Sequence, residues 1–176
     1  MDGDRDTGIS TPGRPASGPP VSHLGGFTLL ELMMVIAIVA ILLGIGIPSY
    51  SRFIAEQRVR AAAADLQSAL WRTRSEAIKL NRDVTLSPAD AADGWQSGWS
   101  ADNPASPGSD LLTRGPLVGV QVTGGPAGIT YRASGRLRAA TQPALELESE
   151  VDSGAQRRCV RVDLSGLPMI QTGNCP

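Results

Sequence analysis

One carboxylate, Glu31, lies inside an otherwise uncharged run of twenty-one residues from Phe27 to Ile47, FTLLELMMVIAIVAILLGIGI. A carboxylate in such surroundings costs at least about 2.5–3.5 kcal/mol on insertion scales, so it implies a partner or a purpose. The chemistry open to it is pairing with a cation, because a charge that is costly alone in apolar surroundings becomes tolerable when paired. The other candidates are few. His23 is the single histidine and sits in the N-terminal tail. No His/Cys cluster therefore offers a metal site, no nucleophile–base–acid set or phosphate loop is present, and neither a cofactor nor an enzyme activity is implied. Cys159 and Cys175, the only cysteines, both fall in the last eighteen residues. In a chain that leaves the cytoplasm they read first as a disulfide and second as two buried thiols. The bridge would close a loop of about seventeen residues, worth on the order of 3 kcal/mol in the chain-entropy model.

The elements that must hold these groups follow from composition and period. A chain of 176 residues has room for one ordinary domain and an appendage. Net charge is -1, yet it is segregated: seven Lys/Arg against three acids from Arg52 to Arg82, and ten acids against seven bases from Asp83 onward. Residues 1–26 are rich in Gly, Pro, Ser and Asp without periodicity and form a tail. The run from Phe27 to Ile47 would rise about 30 Å as a helix, enough to cross a bilayer core. A signal peptide would need a shorter apolar block and a small-residue cut after it. From Ser49 the helix can continue, with Val59, Ala62, Leu66, Leu70, Thr73, Ala77 and Leu80 on one face. Trp71 lies beside that stripe and reads as a packing residue. After Asn81 the period shortens. Val84–Leu86, Trp95–Trp99, Leu111–Arg114, Leu117–Val122, Ile129–Arg132, Ala144–Glu148, Cys159–Asp163 and Met169–Thr172 read as strands between Gly, Pro, Asp and Ser clusters. Trp95 and Trp99 would share a strand face, for packing rather than base stacking. The expected fold class is α+β, a long helix packed on a small antiparallel β domain.

The string Gly25-Gly26-Phe27-Thr28-Leu29-Leu30-Glu31, followed by the apolar span and Pro48, resembles the N-terminus of type IV pilins and pseudopilins. A small residue precedes the cut, Phe27 becomes the new N-terminus, Glu31 the fifth mature residue and Pro48 the twenty-second. The resemblance implies cleavage between Gly26 and Phe27 by a prepilin peptidase and N-methylation of Phe27. The Glu31 carboxylate could then pair with the Phe27 ammonium of a neighbouring subunit in a helix bundle. Gly44, Gly46 and Pro48 form a weak point, since Pro48 offers no N–H to Gly44 and glycine lowers helix propensity; in filaments of this family the equivalent stretch can unwind. The segments RVRAAAADLQSALWRTRSEAIKLNRDVTL, GWQSGW and ITYRASGRL are similar to the GspH/FimT group of minor pilins and pseudopilins. Some pilus members of that group bind DNA through a C-terminal GRxR motif. Here the aligned place reads SGLPMIQ, and GRLR, Gly135 to Arg138, falls instead after the ITYR strand with Arg132 nearby. Arg136 and Arg138 could reach phosphates, but a solvated turn is the favoured reading, so nucleic acid is not the favoured partner.

The implied organisation is a leader over residues 1–26, a transmembrane half-helix over 27–48, an amphipathic periplasmic half over 49–81 and a β-rich head over 82–176. The implied partners are the prepilin peptidase, other pilins or pseudopilins, an inner-membrane assembly platform, and the membrane before assembly. Location would be the bacterial inner membrane, N-terminus cytoplasmic and head periplasmic, then the filament. The positive-inside rule alone would set Arg52, Arg58 and Arg60 in the cytoplasm; the cleavage motif and the cysteine pair demand the opposite orientation. A leader of twenty-six residues with three early Asp is long for the family. A translation start at Val21 would shorten it to MSHLGG, leaving residues 1–20 outside the protein. The function read from these features is a minor pilin that primes or caps a type IV pilus. The alternatives are a minor pseudopilin of a type II secretion system and a DNA-binding minor pilin.

Overall fold

Thr28 stands at the head of the first helix. In the computed structural model, which describes residues 26–176, its carbonyl accepts the first helical hydrogen bond, from Leu32 N–H at 3.1 Å. His23, the candidate start at Val21 and the rest of the tail before Gly26 lie outside the described residues. Helix α1 (Leu29–Leu80) then runs for 52 residues without a break, including the stretch of Gly44, Gly46 and Pro48. Its C-terminus closes with a left-handed residue, Asn81 at φ 50°. Arg82 N–H reaches Ala77 C=O and Asn81 N–H reaches Ile78 C=O, each at 3.2 Å, the Schellman arrangement that satisfies the last carbonyls. The chain divides into two units, one ending at Ala40 and the other running from Ile41 to Pro176.

Within the second unit eight strands follow the helix: β1 (Val84–Asp90), β2 (Gly94–Asp102), β3 (Asp110–Arg114), β4 (Val120–Gly124), β5 (Ile129–Tyr131), β6 (Ala144–Ser149), β7 (Arg158–Val162) and β8 (Pro168–Thr172). They form two four-stranded antiparallel sheets, ordered β3-β2-β1-β5 and β4-β6-β7-β8. Each expected strand is present, with one instructive shift. The run expected from Leu117 begins as a strand only at Val120. Leu117 N–H is bonded to Gln96 C=O in the first sheet, and the chain turns at Gly119 (φ 70°) before joining the second.

One core joins helix and sheets. Val59, Ala62, Leu66, Leu70, Thr73 and Ala77 of α1 are buried, the stripe expected from their spacing, with Leu80 partly buried at its end. The buried Thr73 hydroxyl is satisfied by donating to Ala69 C=O at 2.8 Å. Trp99, Leu86, Val84, Ile129 and Tyr131 face the core from the first sheet, and Val120, Leu145, Leu147, Val160 and Val162 from the second. Alternation does the sorting: in β6 Leu145 and Leu147 point inward while Glu146 and Glu148 point out. At Gly98 (φ 92°) β2 approaches β3 so closely that a Cβ would lie 2.0 Å from the Arg114 carbonyl oxygen, and only glycine fits.

Candidate functional site

The N-terminus of α1 carries the first candidate. Thr28 is the N-cap: its Oγ1 accepts a hydrogen bond from Glu31 N–H at 3.2 Å. Thr28 and Glu31 thus stand at the first and last places of the T-x-x-E capping pattern, where a carboxylate also meets the positive end of the helix dipole. Thr28 is a helix-capping residue that the cost of burying a carboxylate does not reveal. Its signal in the sequence is the spacing of Thr28 and Glu31. Gly26 and Phe27 precede the helix, and Phe27 is 83% exposed.

Beyond the cap, the large apolar side chains from Leu29 to Ile47 are exposed, and nothing among the described residues covers them. The best eighteen-residue window has mean hydropathy 2.7 and none of it is buried, so this helix is long and apolar enough to cross a membrane. Gly44 and Gly46 have no neighbour within 4 Å of an added Cβ, so packing does not call for glycine at either position.

The cysteines form a disulfide, Cys159 on β7 to Cys175 in the C-terminal tail. Cys159 is fully buried, on the outer side of the second sheet beneath that tail. Cys175 N–H donates to Glu146 Oε2 at 3.3 Å, and Arg157 bridges Glu146 (3.1 Å) and Glu148 (2.9 Å). The bridge therefore straps the terminus over an ion-paired sheet face.

The GRLR segment is a tight turn docked on the helix. Gly135 N–H bonds Arg132 C=O at 2.8 Å, Arg132 N–H bonds Arg136 C=O at 2.9 Å, and Arg74 Nε donates to Gly135 C=O at 2.9 Å. Leu137 is buried between Arg136 and Arg138, which are exposed, as is Arg132. Arg138 is engaged, pairing with Asp83 at 2.8 Å. The SGLPMIQ turn packs on the same place: a Cβ at Gly166 (φ 90°) would lie 2.1 Å from the Gly135 carbonyl oxygen. Asp163 organises that turn, and its acceptance of hydrogen bonds from the Ser165 hydroxyl and Leu167 N–H holds its carboxyl below the usual range. Beneath both turns Tyr131 is wholly buried, with no hydrogen-bond partner for its hydroxyl among the described residues. Burial pushes its pKa well above the ordinary tyrosine range, against a smaller opposing effect of Arg74.

Trp95 and Trp99 are both buried, and Trp95 Nε1 donates to Pro126 C=O at 2.9 Å, so they pack the core. Trp71 differs from the expectation of a packing residue: it is 40% exposed, with the Arg74 guanidinium 5.5 Å from its ring centroid. One position beyond the buried Leu70, it lies on the rim of the stripe rather than in it.

The family described as Type II transport protein GspH matches residues 62–166, more than half of the chain. The chain belongs to the GspH family. Members are structural pilin and pseudopilin subunits, and this chain is not an enzyme. A fimbrial protein of Pseudomonas aeruginosa is 40% identical over 62 residues, 35% of this chain, which spans only 40% of that relative's length. Among solved structures, the type IV minor pilin FimU of P. aeruginosa superposes with a TM-score of 0.57 at 18% identity, covering 68% of this chain and 92% of FimU. That likeness shows the fold: a long N-terminal helix with antiparallel sheets, as in minor pilins. The minor pseudopilin EpsH of the Vibrio cholerae Type 2 Secretion System gives 0.49 at 17% identity, too weak a likeness to carry weight.

Proposed function

We propose that this GspH-family chain is a minor pilin of a type IV pilus. In this reading a prepilin peptidase cuts between Gly26 and Phe27, the new amine is methylated, and α1 anchors the protein in the inner membrane until it enters the filament. Its partners are then the peptidase, other pilins and the assembly platform, and its part is to prime or cap the fibre. The observation that carries the reading is Glu31: a lone carboxylate near the start of an apolar helix that the chain leaves uncovered, five residues after a small-residue cut site. Such a helix must be covered by lipid or by other helices, because exposed apolar surface on this scale is unfavourable in water. Once packed among helices, the carboxylate needs a cation, and the Phe27 ammonium of a neighbour supplies one. The pair would draw a subunit into the fibre and fix its axial stagger.

The pilus is preferred to a type II secretion pseudopilus on the fimbrial relatives, although the matching family takes its description from the secretion system. The DNA-binding reading is weakened by Arg138, which is already paired with Asp83. Mass spectrometry of the protein from pilus-producing cells should find it beginning at methylated Phe27. Glu31→Ala should still be cut but should be missing from sheared filaments; its normal incorporation would sink the reading.

A further inference from the structure

Two like-charged pairs stand on the first sheet with no opposite charge beside them among the described residues. Asp102 ends β2 and Asp110 begins β3, and the register sets them directly opposite each other. Like charges so placed destabilise a sheet, and a cation from outside would relieve them. Asp110 accepts only a hydrogen bond from the Thr113 hydroxyl, at 3.1 Å, and Asp102 has no partner among the described residues. The second pair is Arg132 and Arg136, held together by the bond from Arg132 N–H to Arg136 C=O at 2.9 Å. Neither guanidinium has a hydrogen bond or ion pair among the described residues, in contrast to Arg138 close by. All four side chains are exposed.

The topology places these pairs at opposite edges of one sheet. In the order β3-β2-β1-β5 the aspartates belong to the β3 edge, and Arg132 directly follows β5 at the other. Three strand spacings separate the edges, about 14 Å. Leu112, Ala101, Leu86 and Ile129 form one row across the sheet. Asp102 and Asp110 lie one step from that row, and Arg132 lies three steps from it towards the same end, a stagger of about 7 Å. Ala101, Ile129 and Tyr131 are buried, so by alternation Asp102 and Arg132 share the outer face of the sheet.

We infer that the heads of adjacent copies of this chain dock edge to edge, the Arg132–Arg136 turn of one receiving Asp102 and Asp110 of the next. The chain carries both halves of the contact, and a shift across the strands brings them together. Each docked head keeps a free edge of one sign, so the contact is heterologous and extends a row of subunits instead of closing a dimer. Ile78, 49% exposed and against the Gly135 turn, adds apolar surface beside the arginines. Nucleic acid is the poorer occupant: the aspartates repel phosphate, and from Asp83 onward acids outnumber bases ten to seven. Glu31 takes no part in this contact, so the two pairings can fail separately.

The test uses two differently tagged populations of the full chain, mixed in vesicles of phosphatidylethanolamine and phosphatidylglycerol. One carries Ser134→Cys, in the arginine turn, and the other Ser109→Cys, next to Asp110, the native cysteines being bonded to each other. A short bifunctional maleimide should join 134 to 109 several-fold more than 134 to 134 or 109 to 109, and the excess should fall as salt is added. Asp102→Lys with Asp110→Lys in the 109 population should abolish the excess. Arg132→Glu with Arg136→Glu in the 134 population should then restore it. Equal yields in the three pairings of the copies with native charges would overturn the docking, whatever the reversed copies do. An excess that survives reversal of the aspartates alone would overturn it too. Equal yields together with salt-sensitive retention of a duplex oligonucleotide, lost on Arg132→Glu with Arg136→Glu, would overturn it and assign the arginines to nucleic acid.

Discussion

The two halves of α1 obey opposite rules although one unbroken helix contains both. From Val59 to Ala77 the apolar residues recur at three and four, and those positions are buried. From Leu29 to Ile47 apolar residues occupy every face, and the large ones are all exposed. The first pattern is a helix whose partner lies in its own chain; the second is a helix whose partner must come from outside. The charges follow the same division. Arg52, Arg74 and Arg138 are bonded within the unit that runs from Ile41 to Pro176. Among the described residues the Glu31 carboxylate has no hydrogen bond or ion pair, and the contact with the Thr28 hydroxyl runs through the backbone N–H.

The contrast can be broken most severely at Leu66, which is fully buried. Leu66→Ala should lower the unfolding free energy of the head by about 2–5 kcal/mol in denaturant titrations followed by tryptophan emission. Leu42→Ala, in the uncovered half and 63% exposed before substitution, should leave that transition where it is. Equal effects at the two positions would erase the distinction between the halves. The disulfide sharpens it from the other side of the head. Replacing Cys159 and Cys175 by Ser, or reducing the bridge, should cost on the order of 3 kcal/mol, again with no change in the helicity of the apolar half. The smallest expected effect belongs to Tyr131. Its folded-state pKa is raised, so the unfolded chain loses this proton first, near pH 10, and the unfolded state gains from every further rise in pH. The tyrosine's contribution is thus full below pH 10 and shrinks above it by at most about 1.4 kcal/mol per pH unit. Tyr131→Phe should flatten that slope and, because the hydroxyl has no hydrogen-bond partner among the described residues, cost little at neutral pH.

Much of this architecture is legible in the amino-acid sequence, and what is hidden there is hidden for physical reasons. The stripe from Val59 to Ala77 and the alternation of ALELES are short-range periodicities, so they can be read directly. The division of the strands between two sheets cannot, because alternation says which face is inward and not which strand is adjacent. Leu117 shows the difference: it is apolar and strand-like, yet its backbone bonds the first sheet while the next strand belongs to the second. At the site, the GRLR segment offers two arginines with equal claims. Only the fold distinguishes Arg136 from Arg138, which meets Asp83 from fifty-five residues away. Thr28 is a different case. Its capping spacing to Glu31 is local and visible, but the cost of a carboxylate in an apolar run draws the whole explanation to the side chain.

Glu31→Ala is a blunt instrument, since alanine removes the charge and the length of the side chain together. Glu31→Gln separates them: glutamine keeps the length and polarity of glutamate but carries no charge to pair with an ammonium. The decisive measurement is the amount of Glu31→Gln protein in sheared filaments relative to the fully processed protein in the membrane, beside wild type. If Glu31 acts by pairing with a neighbour's Phe27, processing should stay at the wild-type level while incorporation is largely lost. Wild-type incorporation of Glu31→Gln would contradict that role.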